Sequence, residues 1–205
     1  MNQAAFITAF ITLFVVIDPI GLAPLFVALT KGEDAVHRRG VAIRSTMIAG
    51  GLLVLFGLFG EAVLGFAGIS MPAFRIAGGV LLFLTALDML FEPRTKRRKG
   101  QASSENDPSV FPLATPLIAG PGSIATMILL TGEAGGDWAI IGAVMLVLLA
   151  VLLMVLLLFL SANLLENALG DTGTNVVTRL LGMLLAALSV QFVIDGITAI
   201  NWVGG

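Results

Sequence analysis

The chain has no cysteine, a single histidine and few charges of either sign. Without cysteine there is no disulfide framework and no thiolate metal site. A lone His37 cannot build a histidine metal cluster. Lys and Arg total 11 and Asp and Glu 13, a net charge of -2, so no basic field exists to hold nucleic acid. A phosphate-binding loop ending in Gly-Lys-Ser/Thr is also missing, so ATP is not an energy source used by this chain. Charged residues make up only 12% of the 205, against about 25% in a soluble domain. So little charge cannot coat a water-soluble globule, which excludes an ordinary cytosolic enzyme and a disordered protein. No cofactor and no metal are expected.

What is present is apolar. Hydrophobic residues reach 58%, and the mean hydropathy is +1.03. A helix needs about 20 apolar residues to cross a hydrocarbon core about 30 Å thick. Six stretches meet this: 4–30, 42–67, 72–92, 110–131, 138–161 and 176–200. Runs such as Met145 to Leu160 show no alternation, which argues against transmembrane strands. The first stretch has neither a preceding basic residue nor a cleavage pattern, so it is expected as a retained span rather than a signal peptide.

The basic residues set the orientation. Lys31, Arg38, Arg39 and Arg44 lie in or beside the first loop, and Arg94, Lys96, Arg97, Arg98 and Lys99 in the third. Arg179, expected to open the sixth helix, falls on the same side, and only Arg75 sits opposite. By the positive-inside rule, both termini then face outward and the odd-numbered loops are cytoplasmic. The polar stretch 93–109 reads as a cytoplasmic linker between two three-helix halves, 1–92 and 110–205, of one transmembrane domain. Its basic cluster is first a topology determinant and second a contact for anionic lipid.

The halves echo each other. Ile17-Asp18-Pro19-Ile20-Gly21-Leu22-Ala23-Pro24 in the first helix aligns with Ile118-Ala119-Gly120-Pro121-Gly122-Ser123-Ile124-Ala125 in the fourth. Arg75-x-x-Gly78 in the third matches Arg179-x-x-Gly182 in the sixth. A duplicated half with an odd number of spans inserts upside down, so the expected fold is all-α, with six transmembrane helices forming two inverted three-helix repeats. Proline removes a backbone donor and glycine loosens the chain, so helices 1 and 4 are expected to break near the midplane.

A break exposes peptide groups and creates half-helix N-termini at Leu22 and at Gly122–Ser123, which suit a carboxylate. Asp18 is costly in hydrocarbon, about 2.5–3.5 kcal/mol on insertion scales. It can hold an ammonium group, a proton or a sodium ion, or simply cap the following half-helix. The expected substrate site is Asp18, Pro19, Gly21, Leu22, Gly120, Pro121, Gly122 and Ser123. Coupling or gating candidates are Asp18, Glu61, Arg75, Asp88, Arg179, Gln191 and Asp195. An outer ion pair is drawn from Glu61, Arg75 and Asp195, and an inner one from Asp88 and Arg179. Helix 5, 138–161, carries no polar handle and is expected against lipid.

The Asp18–Pro24 stretch, the Pro116-Leu117-Ile118-Ala119-Gly120-Pro121-Gly122 stretch and the paired Arg-x-x-Gly starts resemble the MarC family of bacterial and archaeal inner-membrane proteins. The family is similar to the LysE-type transporter superfamily. Its name comes from a multiple-antibiotic-resistance locus, and some members are regarded as transporters of small neutral amino acids such as glycine and alanine. The resemblance implies an inner-membrane secondary transporter of such zwitterions, coupled to a proton or sodium gradient. It maps the family motifs onto Asp18, Pro19, Gly21, Pro24, Pro116, Gly120, Pro121 and Gly122. The expected partners are a small amino acid, the coupling ion and the lipid bilayer; no nucleic acid is expected, and a homo-oligomer is allowed. The competing reading is a non-transporting scaffold or stress-related assembly protein. A membrane-embedded enzyme lacks a nucleophile–base pair.

Overall fold

The computed structural model describes residues 3–30, 32–91 and 107–200, with only the backbone described for 162–171 and 174. Most of the expected linker, with its basic cluster, and Lys31 lie outside the described residues. The described residues are helical, with no strand among them. The elements are α1 (Gln3–Ile17), α2 (Pro19–Leu29), α3 (Ala35–Phe66), α4 (Met71–Phe91), α5 (Ser109–Ile118), α6 (Pro121–Gly132), α7 (Trp138–Leu160) and α8 (Ala162–Thr198).

Among the described residues, five helical spans are long and apolar enough to cross a membrane, and six if α5 and α6, bent by 54° to each other, count as one. The α1–α2 pair counts as a single span of 27 residues, Gln3–Leu29. At about 1.5 Å per residue it is roughly 40 Å long, more than the hydrocarbon core requires.

Short polar caps start the helices where the chain leaves water. Asp34 accepts the His37 N–H at 2.6 Å at the head of α3, and Asp137 accepts the Ala139 N–H at 2.8 Å at the head of α7. α3 stops at Gly68, whose φ of +71° is open to glycine, and Ile69 N–H closes the end on the Leu64 carbonyl at 2.9 Å. α8 corrects one expected boundary. It starts at Ala162, so Arg179 lies within a 37-residue helix rather than opening one.

Glycines set the packing, because without a side chain two backbones approach closely. A Cβ on Gly79 would lie 2.8 Å from the Ser189 carbonyl oxygen, and one on Gly196 would lie 3.0 Å from that of Pro72. Gly182 faces Met89 in the same way. These contacts fix α4 and α8 as a close antiparallel pair. Gly57 and Gly60 on α3 receive Met127 and Ile128 of α6.

The larger core joins α1, α2, α3, α5, α6 and α7, and the smaller joins Val15 and Val16 of α1 to Leu82, Ala86 and Met89 of α4 and Leu185 of α8. α1 therefore lies between both bodies of packing. α7 corrects another expectation. Val144, Val147, Leu148, Val151, Val155 and Phe159 turn one of its faces into the larger core, and only the opposite face is left to lipid. A purely aliphatic helix has no periodicity in its sequence from which such a face is legible.

Candidate functional site

The first interruption is one residue long. Asp18 has φ 53° and ψ 63°, the left-handed conformation that L residues other than Gly, Asn and Asp seldom adopt. Pro19 has no N–H to offer the carbonyl of Val15. The Asp18 carboxylate then turns back and accepts the Gly21 N–H at 3.0 Å, capping α2. Gly21 is required there, because a Cβ would collide with Oδ2 of Asp18. Leu22 N–H is bonded to the Asp18 carbonyl at 3.0 Å. This corrects the expectation of a free half-helix terminus at Leu22, because Asp18 itself already fills it.

The second interruption is longer. A proline disfavours helical backbone at the residue before it. Phe111 (φ −127°, ψ 125°) precedes Pro112, and Thr115 (φ −127°, ψ 132°) precedes Pro116, both across cis peptide bonds. Between and after them α5 winds wide, with bonds five residues apart: Leu113 N–H to Pro108 O at 3.2 Å and Ala119 N–H to Ala114 O at 2.8 Å. Gly120 then starts α6. Only glycine fits there, because a Cβ would sit 2.5 Å from the Pro116 carbonyl oxygen.

The Ser123 hydroxyl is fully engaged. It accepts the Gly120 N–H at 2.9 Å and lies 2.7 Å from the Ile118 carbonyl and 3.0 Å from that of Gly120. The hydroxyl is a cap, not an open ligand. The backbone N–H groups of Gly122 and Ser123 have no preceding helical turn to bond to, as at any helix start.

The two interruptions lie side by side. A Cβ on Gly122 would be 3.4 Å from Cγ1 of Val16, 3.0 Å from Leu82 and 3.8 Å from the Thr85 hydroxyl. The same two helices also carry Thr12 on α1 and Thr126 on α6. Both are buried, and the Thr126 hydroxyl has no hydrogen-bond partner. Asp18, Leu22, Gly120, Gly122 and Ser123 are all buried, with Asp18 at 0% exposure. Pro121 is exposed.

Of the gating candidates, only Asp18 lies at the junction. Arg75 forms an ion pair at 2.7 Å with Glu133, in the turn after α6, and not with Glu61 or Asp195. Asp195 instead accepts from Gln191 at 2.7 Å, one turn away on the same helix. Gln191 is exposed on α8, and Glu61 is exposed on α3. Asp88 and Arg179 are both exposed, toward the end where α4 finishes.

A second ion pair, Arg44–Asp107 at 3.1 Å, precedes α5. The bent span is thus tied to α3 at one end and to α4 at the other. The Ser109 backbone N–H donates to Asp107 and, with Arg44 and His37 nearby, holds that carboxyl below the usual carboxylate range. Among the described residues, no three His, Asp or Glu side chains converge as a metal-binding group.

Sequence reasoning missed Glu133, Asp107 and the unbonded hydroxyl of Thr126. Loop acids look like solvated surface in a sequence, and buried threonines usually bond within their own helix, as Thr46 does with the Ala42 carbonyl at 2.8 Å.

Residues 3–201 match the family described as MarC family integral membrane protein. The chain is 40% identical over 203 residues to the UPF0056 membrane protein MJ1677 of Methanocaldococcus jannaschii, covering 96% of this chain and 98% of the relative. It is 34% identical to a UPF0056 membrane protein of Aquifex aeolicus, over 94% of this chain and 92% of the relative. It is 31% identical to the UPF0056 inner membrane protein YhgN of Escherichia coli, over 96% and 97%. No solved structure matches the chain at a significant level.

Proposed function

Because the chain belongs to the MarC family of integral membrane proteins, we propose that it is a secondary transporter of small neutral amino acids, coupled to a proton or sodium gradient. It would work from the inner membrane of a prokaryote with both termini outside. The observation that carries this reading is Asp18, a fully buried left-handed aspartate two residues after Val16, which packs against Gly122 at the start of a second interrupted helix. A carboxylate in the bilayer interior costs about 2.5–3.5 kcal/mol on insertion scales and is a functional candidate by default.

In this reading the substrate carboxylate meets the N–H groups of Gly122 and Ser123. The ammonium group or the coupling cation meets Asp18. Leu22, already bonded, only bounds the site. The halves act as inverted repeats and rock about the junction to alternate access. The burial of the junction fits a closed state in that cycle.

Uptake of glycine or alanine by purified protein in liposomes, with and without a pH or sodium gradient, tests the proposal. Gradient-driven uptake that is lost in Asp18→Asn while the variant stays folded is the expected result. Uptake at the wild-type level in Asp18→Asn would remove Asp18 from coupling. No uptake of any small zwitterion under either gradient would favour the scaffold reading.

A further inference from the structure

The outward face of α8 carries a polar side chain at membrane depth. Gly182, Ser189 and Gly196 turn one side of α8 onto α4. On the opposite side Leu180, Leu184, Ala187, Gln191, Ile194 and Thr198 are all exposed. We propose that this stripe is the interface of a homodimer, in which α8 pairs with the α8 of a second copy and the two Gln191 amides bond each other.

Lipid alone does not account for Gln191 at its depth. Gly79 of α4 lies against the Ser189 carbonyl and Val193, so Gln191, between them on α8, is roughly 12 Å from where α4 begins at Met71. The 21 residues of α4 are about as long as the hydrocarbon core is thick. Gln191 therefore stands inside hydrocarbon rather than among headgroups. Polar groups there have no water to bond and as a rule face protein. Asp195, one turn away, accepts one N–H of the amide at 2.7 Å. Among the described residues nothing else bonds the amide, which leaves its carbonyl and second N–H for a partner from outside the chain.

A second copy supplies that partner. All copies insert with the same orientation, because each carries the same basic loops, so two α8 helices meet in parallel. A two-fold axis along the membrane normal then sets each residue of the stripe beside its own counterpart. An amide is self-complementary, with N–H to donate and a carbonyl to accept. The stripe advances in alternating steps of four and three residues, the spacing of a parallel two-helix seam. Ala187, one turn before Gln191, lets the two backbones approach. Beside the stripe, Gly79 lines a furrow of about 260 Å³ with Val80, Phe83, Val190 and Ile194, which can receive side chains of the facing copy. A lipid tail would fill the furrow and leave the amide unpaired.

The chain has no cysteine, so single cysteines report the interface directly. In membranes oxidised with copper phenanthroline, Ala187→Cys should give a disulfide-linked dimer. Leu146→Cys, on the exposed face of α7, should not. Equal cross-linking at both positions, or none at either, would overturn the proposal. Subunit counting of the purified full chain in liposomes, over a series of protein-to-lipid ratios, measures the affinity. Gln191→Leu, at an exposed position, should weaken dimerisation about three- to tenfold, the range for hydrogen bonds between membrane helices. Ala187→Trp, which wedges the seam apart, should weaken it more than tenfold. Unchanged affinity in Gln191→Leu would overturn the proposal. So would monomers at every ratio, including the case in which Ala187→Cys is captured by a different protein in cells. Neither readout uses uptake, so the result is independent of the transport reading.

Discussion

Asp18 and Gly21 form a unit in which each residue explains the other. The carboxylate reaches Gly21 N–H only because the aspartate backbone is left-handed, and it fits only because Gly21 has no side chain. Gly21→Ala should therefore destabilise the protein by about 1–3 kcal/mol, the range for a strained or uncapped site. A thermal unfolding series in detergent would show it as a clear drop, and an unchanged midpoint would contradict the packing described. Thr126 makes the opposite case. Its buried hydroxyl has no partner, so Thr126→Val should leave stability unchanged or raise it by about 1 kcal/mol. If uptake then falls while stability does not, the hydroxyl faces the solute's path.

At the scale of elements, the bent span α5–α6 is the part whose ends are held by ion pairs. Arg75–Glu133 secures one end and Arg44–Asp107 the other. Both pairs are partly in water, so each is a minor contributor to stability. Their value lies in which end is free to swing. Arg75→Gln should leave unfolding within about 1 kcal/mol of wild type while raising the labelling of a cysteine placed at Ala134, now 7% exposed. Unchanged labelling would show that the pair does not hold that end closed.

The Arg44–Asp107 pair is also sensitive to acid. Asp107 has a lowered pKa in the folded protein. Its contribution is complete above the ordinary aspartate value of about 3.9 and is lost as pH falls through the lower folded value. Unfolding measured from pH 6 down to 3 should show this component in wild type and lack it in Asp107→Asn.

Much of this element structure is legible in the sequence. The positions of Pro19, Pro112 and Pro116 dictate where backbone donors vanish and where the preceding residue leaves helical backbone. The different forms of the two interruptions are not legible. One is a single capped residue in a span that keeps its course, and the other is a wide coil with a 54° bend. Both contain the same Pro and Gly signals, and the local motif does not say how many turns the surrounding helices force to deform.

For the whole molecule, the described ends separate cleanly. Arg38, Arg39, Arg44 and Arg179 belong to one end, and Arg75 with the turn after α6 to the other. The absence of cysteine makes this measurable with single substitutions. Ser70→Cys, in the exposed turn between α3 and α4, should react with a membrane-impermeant maleimide in intact cells. Glu33→Cys, in the exposed turn before α3, should react only after permeabilisation. The reverse pattern would invert the orientation taken from the positive-inside rule.

Composition alone made this a membrane protein, because 12% charge cannot clothe a soluble surface and 58% apolar residues must find lipid or each other. Proline, glycine and aspartate placed the interruptions, because they act on the backbone of their own residue and its immediate neighbours. Only the tertiary structure decided what those interruptions meet. It set Gly122 against Val16, left Leu22 already bonded, paired Arg75 with Glu133 and turned one face of α7 into the core. Such pairings depend on the register between helices far apart in the chain, and in a uniformly apolar sequence register is fixed by side-chain shape rather than by any pattern of polarity.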